Sequence, residues 1–255
     1  MTPRVRRRRR DAATAAVSLA VTAVCCGAVA SGRVGGTELA VFRFVNGWPD
    51  AWQAPLYGFQ LLGVLGMPLL VAVPAAVLRR WRLVLALAAL VPVKLLVEHG
   101  VLKALVQRER PGTTIPGAVL RDVPSAGLSF PSGHAVVAFG VVVLLAPYLR
   151  RRWQAVVLAL AVLNGVARVY LGGHAPLDVV GGAAAGVTIG ALLQLVVGVP
   201  DTAGARSGSA RGDRVQGCPE PVPGLRGHRL QLRLPGDPHH HRRLQRGHQR
   251  PAVRE

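Results

Sequence analysis

Six apolar runs, at about 12–31, 57–78, 83–105, 133–149, 153–171 and 178–199, constrain this chain more than any other feature. Most approach the roughly 20 residues that a helix needs to cross a bilayer. The fourth is short and contains Pro147. The third carries Lys94, Glu98, His99 and Lys103. Such groups are costly against lipid, so the third helix is expected to face the interior of a bundle. The expected fold is an all-α membrane protein, a six-transmembrane-helix bundle over residues 12–200. A basic cytoplasmic N-terminus, 1–11, precedes it and a disordered basic C-terminal tail, 201–255, follows.

Charge agrees with that reading. The chain is 51% hydrophobic yet carries a formal charge of +19, which a soluble domain seldom combines. The arginines cluster at the chain ends and in the links Arg79–Arg82 and Arg150–Arg152. With the N-terminus inside, every cluster falls on the cytoplasmic side. No aromatic-rich basic module accompanies them, so nucleic acid is not the expected partner; the bilayer is. Segments 32–56, 106–132 and 172–177 then lie on the opposite side. The stretch "ELAVFRFVNGWPDAW" suits a segment lying in the membrane interface. The first run has two readings, a retained anchor or a cleavable signal peptide ending at Ala28–Ser31, and residue 32 begins outside in both. Three scattered cysteines make neither a disulfide framework nor a metal spacing. Gly182, Gly186 and Gly190 form a small-residue stripe that lets a neighbouring helix approach closely.

From Asp201 onward Pro, Gly, Arg, His and Gln dominate without apolar periodicity, the mark of a disordered tail. The tract His239–His241 reads as solvated rather than as a metal site.

Chemistry-bearing residues gather in three blocks on the expected outer side. "KALVQRERP" holds Lys103 and Arg110, "PSGH" holds Ser132, Gly133 and His134, and "RVYLGGHAPLD" holds Arg168, His174 and Asp178. Singly, each has a bland explanation: a snorkelling cation, a helix N-cap, a hydrogen bond at a helix start. Together they suit phosphoryl transfer. Three cations match the three equatorial oxygens of the transferring group. "PSGH" opens a helix whose N-terminal N–H groups and dipole favour an anion. Asp178, four residues after His174, is placed to hold one imidazole nitrogen as N–H and free the other to attack. His134 is available as the general acid.

These blocks resemble the three signature motifs of the type 2 phosphatidic acid phosphatase (PAP2) superfamily, over about residues 12–200. The resemblance implies that His174 attacks phosphorus and becomes a phosphohistidine, that Asp178 orients it, and that His134 protonates the leaving oxygen. Lys103, Arg110, Ser132, Gly133 and Arg168 would hold the phosphate, with no metal and no cofactor. It implies a lipid phosphate phosphatase of the cell membrane with its site on the extracytoplasmic face and both termini cytoplasmic. Undecaprenyl pyrophosphate, phosphatidic acid and phosphatidylglycerol phosphate are candidate substrate classes. A lipid phosphotransferase using the same phosphohistidine is the nearest alternative, and a non-catalytic transporter the alternative of another class. One departure from the family pattern is Ala167, where Ser often precedes the third-block Arg; a lost secondary contact is expected. Lys94 and Glu98 are expected to form a structural intramembrane ion pair, with His99 packed or paired near Glu98. Arg108 lies outside the motif pattern and is expected to meet a lipid head group.

Overall fold

A computed structural model describes residues 3–199, with side chains from residue 9. The expected tail 201–255 and its histidine tract lie outside the described residues. No β-strand occurs among the described residues; one isolated antiparallel bridge joins Glu109 and Leu128.

The helices follow the apolar runs. α1 is Pro3–Val29, α2 Gly36–Asn46, α3 Gln53–Gln60, α4 Met67–Val77 and α5 Trp81–Leu95. A π-helical stretch, Leu96–Leu102, and the short α6, Lys103–Leu105, continue α5 without a break. α7 is the single turn Pro111–Thr114, α8 is Gly133–Leu145, α9 Arg151–Tyr170 and α10 Pro176–Val197. Four spans, Arg9–Val29, Trp81–Leu105, Arg151–Tyr170 and Pro176–Val197, are long and apolar enough to cross a membrane. The second run is not one straight helix. Asp50–Gly63 and Met67–Val77 meet at 66°, and they supply a fifth crossing if the bent pair counts as one. The fourth run forms a shorter apolar helix, Gly133–Tyr148.

α8 and α10 lie at the centre. α10 packs most extensively against α8 and α1. The glycine stripe explains why the backbones approach so closely. A Cβ on Gly182 would stand 2.5 Å from the Ser132 carbonyl oxygen, and one on Gly186 2.3 Å from that of Val136. Both obstacles are backbone, so no rotamer change could relieve them. The main apolar core is built from α4, α5, α8 and α10 and includes Leu87, Leu90, Val136, Val137, Leu144 and Ile189. α1 is tied to α10 by a 2.8 Å hydrogen bond between the hydroxyls of Ser18 and Thr188. Outward faces stay apolar, with Val17, Leu70, Leu85 and Val196 exposed, as lipid-facing helices require.

The π-helical stretch positions the site. Pro92 within α5 has no N–H to donate, and the helix widens from Leu96. An α-helix sets residues five apart about 140° away from one another. A π turn, closing i to i+5, brings them to one side. Glu98 therefore meets Lys94, four residues before it, and Lys103, five after it.

Candidate active site

The three motif blocks converge at one end of the bundle. Lys103 arrives on α6, Arg110 on the loop before α7, Gly133 and His134 on the first turn of α8, and Arg168 at the end of α9. His174 stands on the tight link between α9 and α10. All six line a cavity of about 410 Å³, together with Lys94, Glu98, Gln60 and the apolar Tyr57, Leu61, Val64 and Leu65. Residues separated by some 70 positions in sequence thus share one small space.

Each cation is held by a protein partner while keeping polar capacity unused. Lys103 Nζ donates to Glu98 Oε1 at 2.6 Å. Arg110 Nη1 donates to the Gly173 carbonyl at 3.2 Å, and Arg168 Nη1 donates to Gln60 Oε1 at 2.5 Å. Gln60 is fixed in turn at its backbone carbonyl, which accepts from Asn164 Nδ2 at 2.9 Å. Arg110 Nε, Arg168 Nε and Ser132 Oγ are buried without a hydrogen-bond partner among the described residues. Buried donors are almost always satisfied, so the two unpaired guanidinium Nε groups of cavity-lining residues suit an anion, while Ser132 lies next to the lining residue Gly133 without lining the cavity itself. Ser132 occupies the N-cap position of α8 but makes no side-chain cap bond, so the simple N-cap explanation of it fails.

Two glycines permit this arrangement. Gly172 adopts φ +79°, which L side chains rarely tolerate, and a Cβ on Gly173 would stand 2.6 Å from Arg168 Nη2. The Gly-Gly pair thus turns the chain sharply and lets the guanidinium lie against backbone.

The histidine and its carboxylate differ from the sequence expectation. Asp178 lies in the first turn of α10 and His174 on the link just before it, but no direct hydrogen bond joins them. Ser129 Oγ stands between: it donates to Asp178 Oδ2 at 2.6 Å and lies 3.2 Å from His174 Nδ1. Asp178 Oδ2 also accepts from the Ala175 N–H at 2.8 Å, and Oδ1 accepts from Arg108 Nη1 at 3.0 Å. The reason lies in helix geometry. Asp178 sits at N3 of α10 and is drawn back to the N-cap amide, away from the imidazole. Burial first, then Arg168 and Arg110, hold the His174 imidazole well below its ordinary 6.5.

Arg108 corrects a second expectation. It does not reach a lipid head group; it is 1% exposed and joins two carboxylates. Its Nη1 and Nη2 donate to Glu38 Oε1 and Oε2 at 3.0 and 2.7 Å, and Nη1 also donates to Asp178 Oδ1. Glu38 Oε1 accepts a further bond, from the Leu177 N–H at 2.9 Å. The α2 segment, read from sequence as interfacial, thus sends its one carboxylate into the protein. The Lys94–Glu98 pair is present at 2.5 Å, but it is not a separate structural pair. Glu98 is shared with Lys103 and lines the cavity. A Cβ on Gly133 would stand 2.7 Å from Glu98 Oε2, so the carboxylate lies against the N-terminus of α8. His99 Nε2 is 4.0 Å from Glu98 Oε1 and its side chain is exposed. Ala167 is fully buried in an apolar cluster with Leu56, Tyr170 and Leu171, where no hydroxyl is called for.

Helices of membrane-crossing length around a cavity lined by cations and imidazoles describe a helical membrane protein. Residues 80–199 match the family model described as the PAP2 superfamily. That segment, just under half of the chain, contains all three motif blocks and is what the chain shares with that superfamily. It is 43% identical over 61 residues to a lipid A 4'-phosphatase of Bacteroides thetaiotaomicron. That alignment takes in 24% of this chain and only 27% of the relative. Two crystal structures share the fold. The PAP2-type phosphatidylglycerolphosphate phosphatase of Bacillus subtilis aligns with TM-score 0.59 at 21% identity, over 80% of this chain and 99% of that one. LpxE of Aquifex aeolicus aligns with TM-score 0.50 at 22% identity, over 62% of this chain and 95% of that one.

Proposed function

We propose that this protein is a membrane phosphatase that removes phosphate from a lipid phosphomonoester or pyrophosphate through a phosphohistidine. One observation carries the reading: Lys103, Arg110, Arg168, Gly133, His134 and His174 line a single cavity. The lipid A phosphatase relative and the phosphatidylglycerolphosphate phosphatase fold support a lipid substrate. So does the cavity wall formed by Tyr57, Leu61, Val64 and Leu65, which offers apolar surface to a tail beside a charged end for the phosphate.

The lone pair of His174 Nε2 attacks phosphorus, and the bond from phosphorus to the lipid oxygen breaks. His134 gives its proton to that oxygen, and the lipid alcohol leaves, or the lipid monophosphate where the substrate is a pyrophosphate. Water then attacks the phosphohistidine and returns a proton to His134; the P–N bond breaks and phosphate is released. Lys103, Arg110, Arg168, Ser132 and the N-terminus of α8 stabilise the oxygens throughout. The chemistry asks for no metal or cofactor.

All six runs cross the cell membrane in this proposal, with both termini cytoplasmic and the cavity extracytoplasmic. The arginine clusters support it. Arg80 and Arg82 begin α5 while Lys103 ends its continuation, and Arg151 begins α9 while Arg168 ends it. Charge clusters and cavity therefore occupy opposite ends of the same helices. The helix Gly133–Tyr148 is ~24 Å long at 1.5 Å per residue, short of a ~30 Å hydrocarbon core. That length supports a phosphate site recessed from the membrane surface.

The test is a panel of lipid phosphates offered to purified protein, with free phosphate measured in the presence and absence of chelator. Wild type releases phosphate in both, and His174→Ala lowers release by about 10³-fold or more. Equal release by His174→Ala would sink the mechanism, and loss on chelation would remove its metal independence.

A further inference from the structure

We infer that Ser129 is a positioning residue of the reaction: its hydroxyl relays the Asp178 carboxylate to His174 and fixes which ring nitrogen is free to attack. The inference rests on the phosphatase reading above.

Hydrogen-bond accounting leads to it. A serine hydroxyl has one proton to give and lone pairs to accept with. An ionised carboxylate only accepts. The 2.6 Å contact between Ser129 Oγ and Asp178 Oδ2 therefore uses the one hydroxyl proton. The 3.2 Å contact with His174 Nδ1 then works only if Nδ1 carries the ring proton and Ser129 accepts it. Nε2 is left unprotonated, with its lone pair available. Asp178 has little left to offer the imidazole directly, because Arg108 takes Oδ1 and the Ala175 amide shares Oδ2.

Position supports the role. Ser129 has no exposed surface, so water cannot substitute for its hydroxyl as it stands. Its backbone is held independently, with Ser129 N donating to the Arg108 carbonyl at 2.7 Å. Arg108 thus grips the relay from two sides, at the Ser129 amide through its carbonyl and at Asp178 through its guanidinium. Ser129 lies in the segment leading into "PSGH", three residues before Ser132. Motif 2 and motif 3 are joined here, through a residue outside both quoted blocks.

The experiment uses the full chain in detergent micelles, with dioctanoyl phosphatidic acid or another lipid phosphate that the wild type turns over. Wild-type turnover that His174→Ala abolishes establishes the phosphatase reading before Ser129 is scored. Ser129→Ala is then expected to lower kcat by about 10²-fold, as misaimed nucleophiles do. KM should stay within about two-fold, since no phosphate ligand has changed. Ser129→Thr, which keeps the hydroxyl, should recover most of the loss. Asp178→Asn should cost much less in the Ser129→Ala background than in wild type, because its effect passes through the serine. A kcat for Ser129→Ala within two-fold of wild type would overturn the relay. So would an undiminished Asp178→Asn loss in that background. Nitrogen NMR of ¹⁵N-histidine-labelled wild type decides the point even if Ser129→Ala does not fold or no lipid is turned over. The His174 signal, assigned by its loss in His174→Asn, should show Nδ1 protonated and Nε2 bare. The opposite tautomer refutes the inference.

Discussion

Replacing Arg108 with methionine tests the buried framework most directly. Methionine keeps much of the side-chain length and removes the guanidinium. Hydrogen bonds at 3.0, 2.7 and 3.0 Å to Glu38 and Asp178 are lost together. Asp178 retains Ser129 and the Ala175 amide, whereas Glu38 retains the Leu177 amide. Two carboxylates, both under 10% exposed, are then left without their shared cation. Removing one partner from a buried pair costs about 3–5 kcal/mol. For a chain of this size each kcal/mol lowers Tm by roughly 2–4 °C, so a fall of about 6–20 °C is expected. Arg108→Lys keeps the charge but loses the two-pronged geometry, and should fall between methionine and wild type. Glu38→Gln removes one charge and keeps an acceptor, so its effect should be smaller than that of methionine at 108. Thermal unfolding in one detergent, followed by tryptophan fluorescence, measures all three. A Tm for Arg108→Met within about 3 °C of wild type would refute the reasoning, since a lost bridge of this kind costs more.

Gly173→Ala sets a methyl 2.6 Å from Arg168 Nη2, and Gln60 pins the same guanidinium from its other side. Turnover per KM should fall by about 10-fold or more with Tm little changed; a value within two-fold of wild type removes the close approach as a requirement. His174, with its basicity depressed by burial and then by Arg168 and Arg110, should show no free-imidazole titration near pH 6.5. The sign follows from linkage: below pH 6.5 the unfolded chain takes up a proton that the folded site refuses, so stability declines as pH falls through that value. ¹⁵N shifts of His174 recorded from pH 7.5 to 5.5 check it, and an ordinary titration midpoint near 6.5 contradicts it.

Much of the architecture was legible in hydropathy alone, because a bilayer demands long apolar stretches whose backbone is satisfied within the helix. The runs at 83–105, 153–171 and 178–199 match helical spans to within a few residues. The glycine stripe was legible for a related reason: only residues without a side chain permit backbone contact, and α10 places all three against α8. The bend between α3 and α4 was not, since Gly63 and Gly66 punctuate an apolar run without saying where the chain turns. The motif blocks named six residues of the cavity lining, Lys103, Arg110, Gly133, His134, Arg168 and His174, whereas Gln60 and Glu98 lie outside those blocks and Ser132 and Asp178 do not line it.

What the sequence could not decide is how those residues reach one another. The i,i+4 rule pairs Lys94 with Glu98, but only the π-helical widening after Pro92 adds Lys103 to the same carboxylate. A four-residue spacing suggests that Asp178 touches His174. The capping geometry of α10 turns that carboxylate to the Ala175 amide, and packing of α8 against α10 brings Ser129 into the gap. Glu38 and Arg108, 70 positions apart, carry no mutual signal in sequence. Residue types and spacing determine which groups are available and on which helices they ride. Which donor meets which acceptor is settled only when the helices pack, because most buried polar groups then take partners among neighbours that the linear order does not specify.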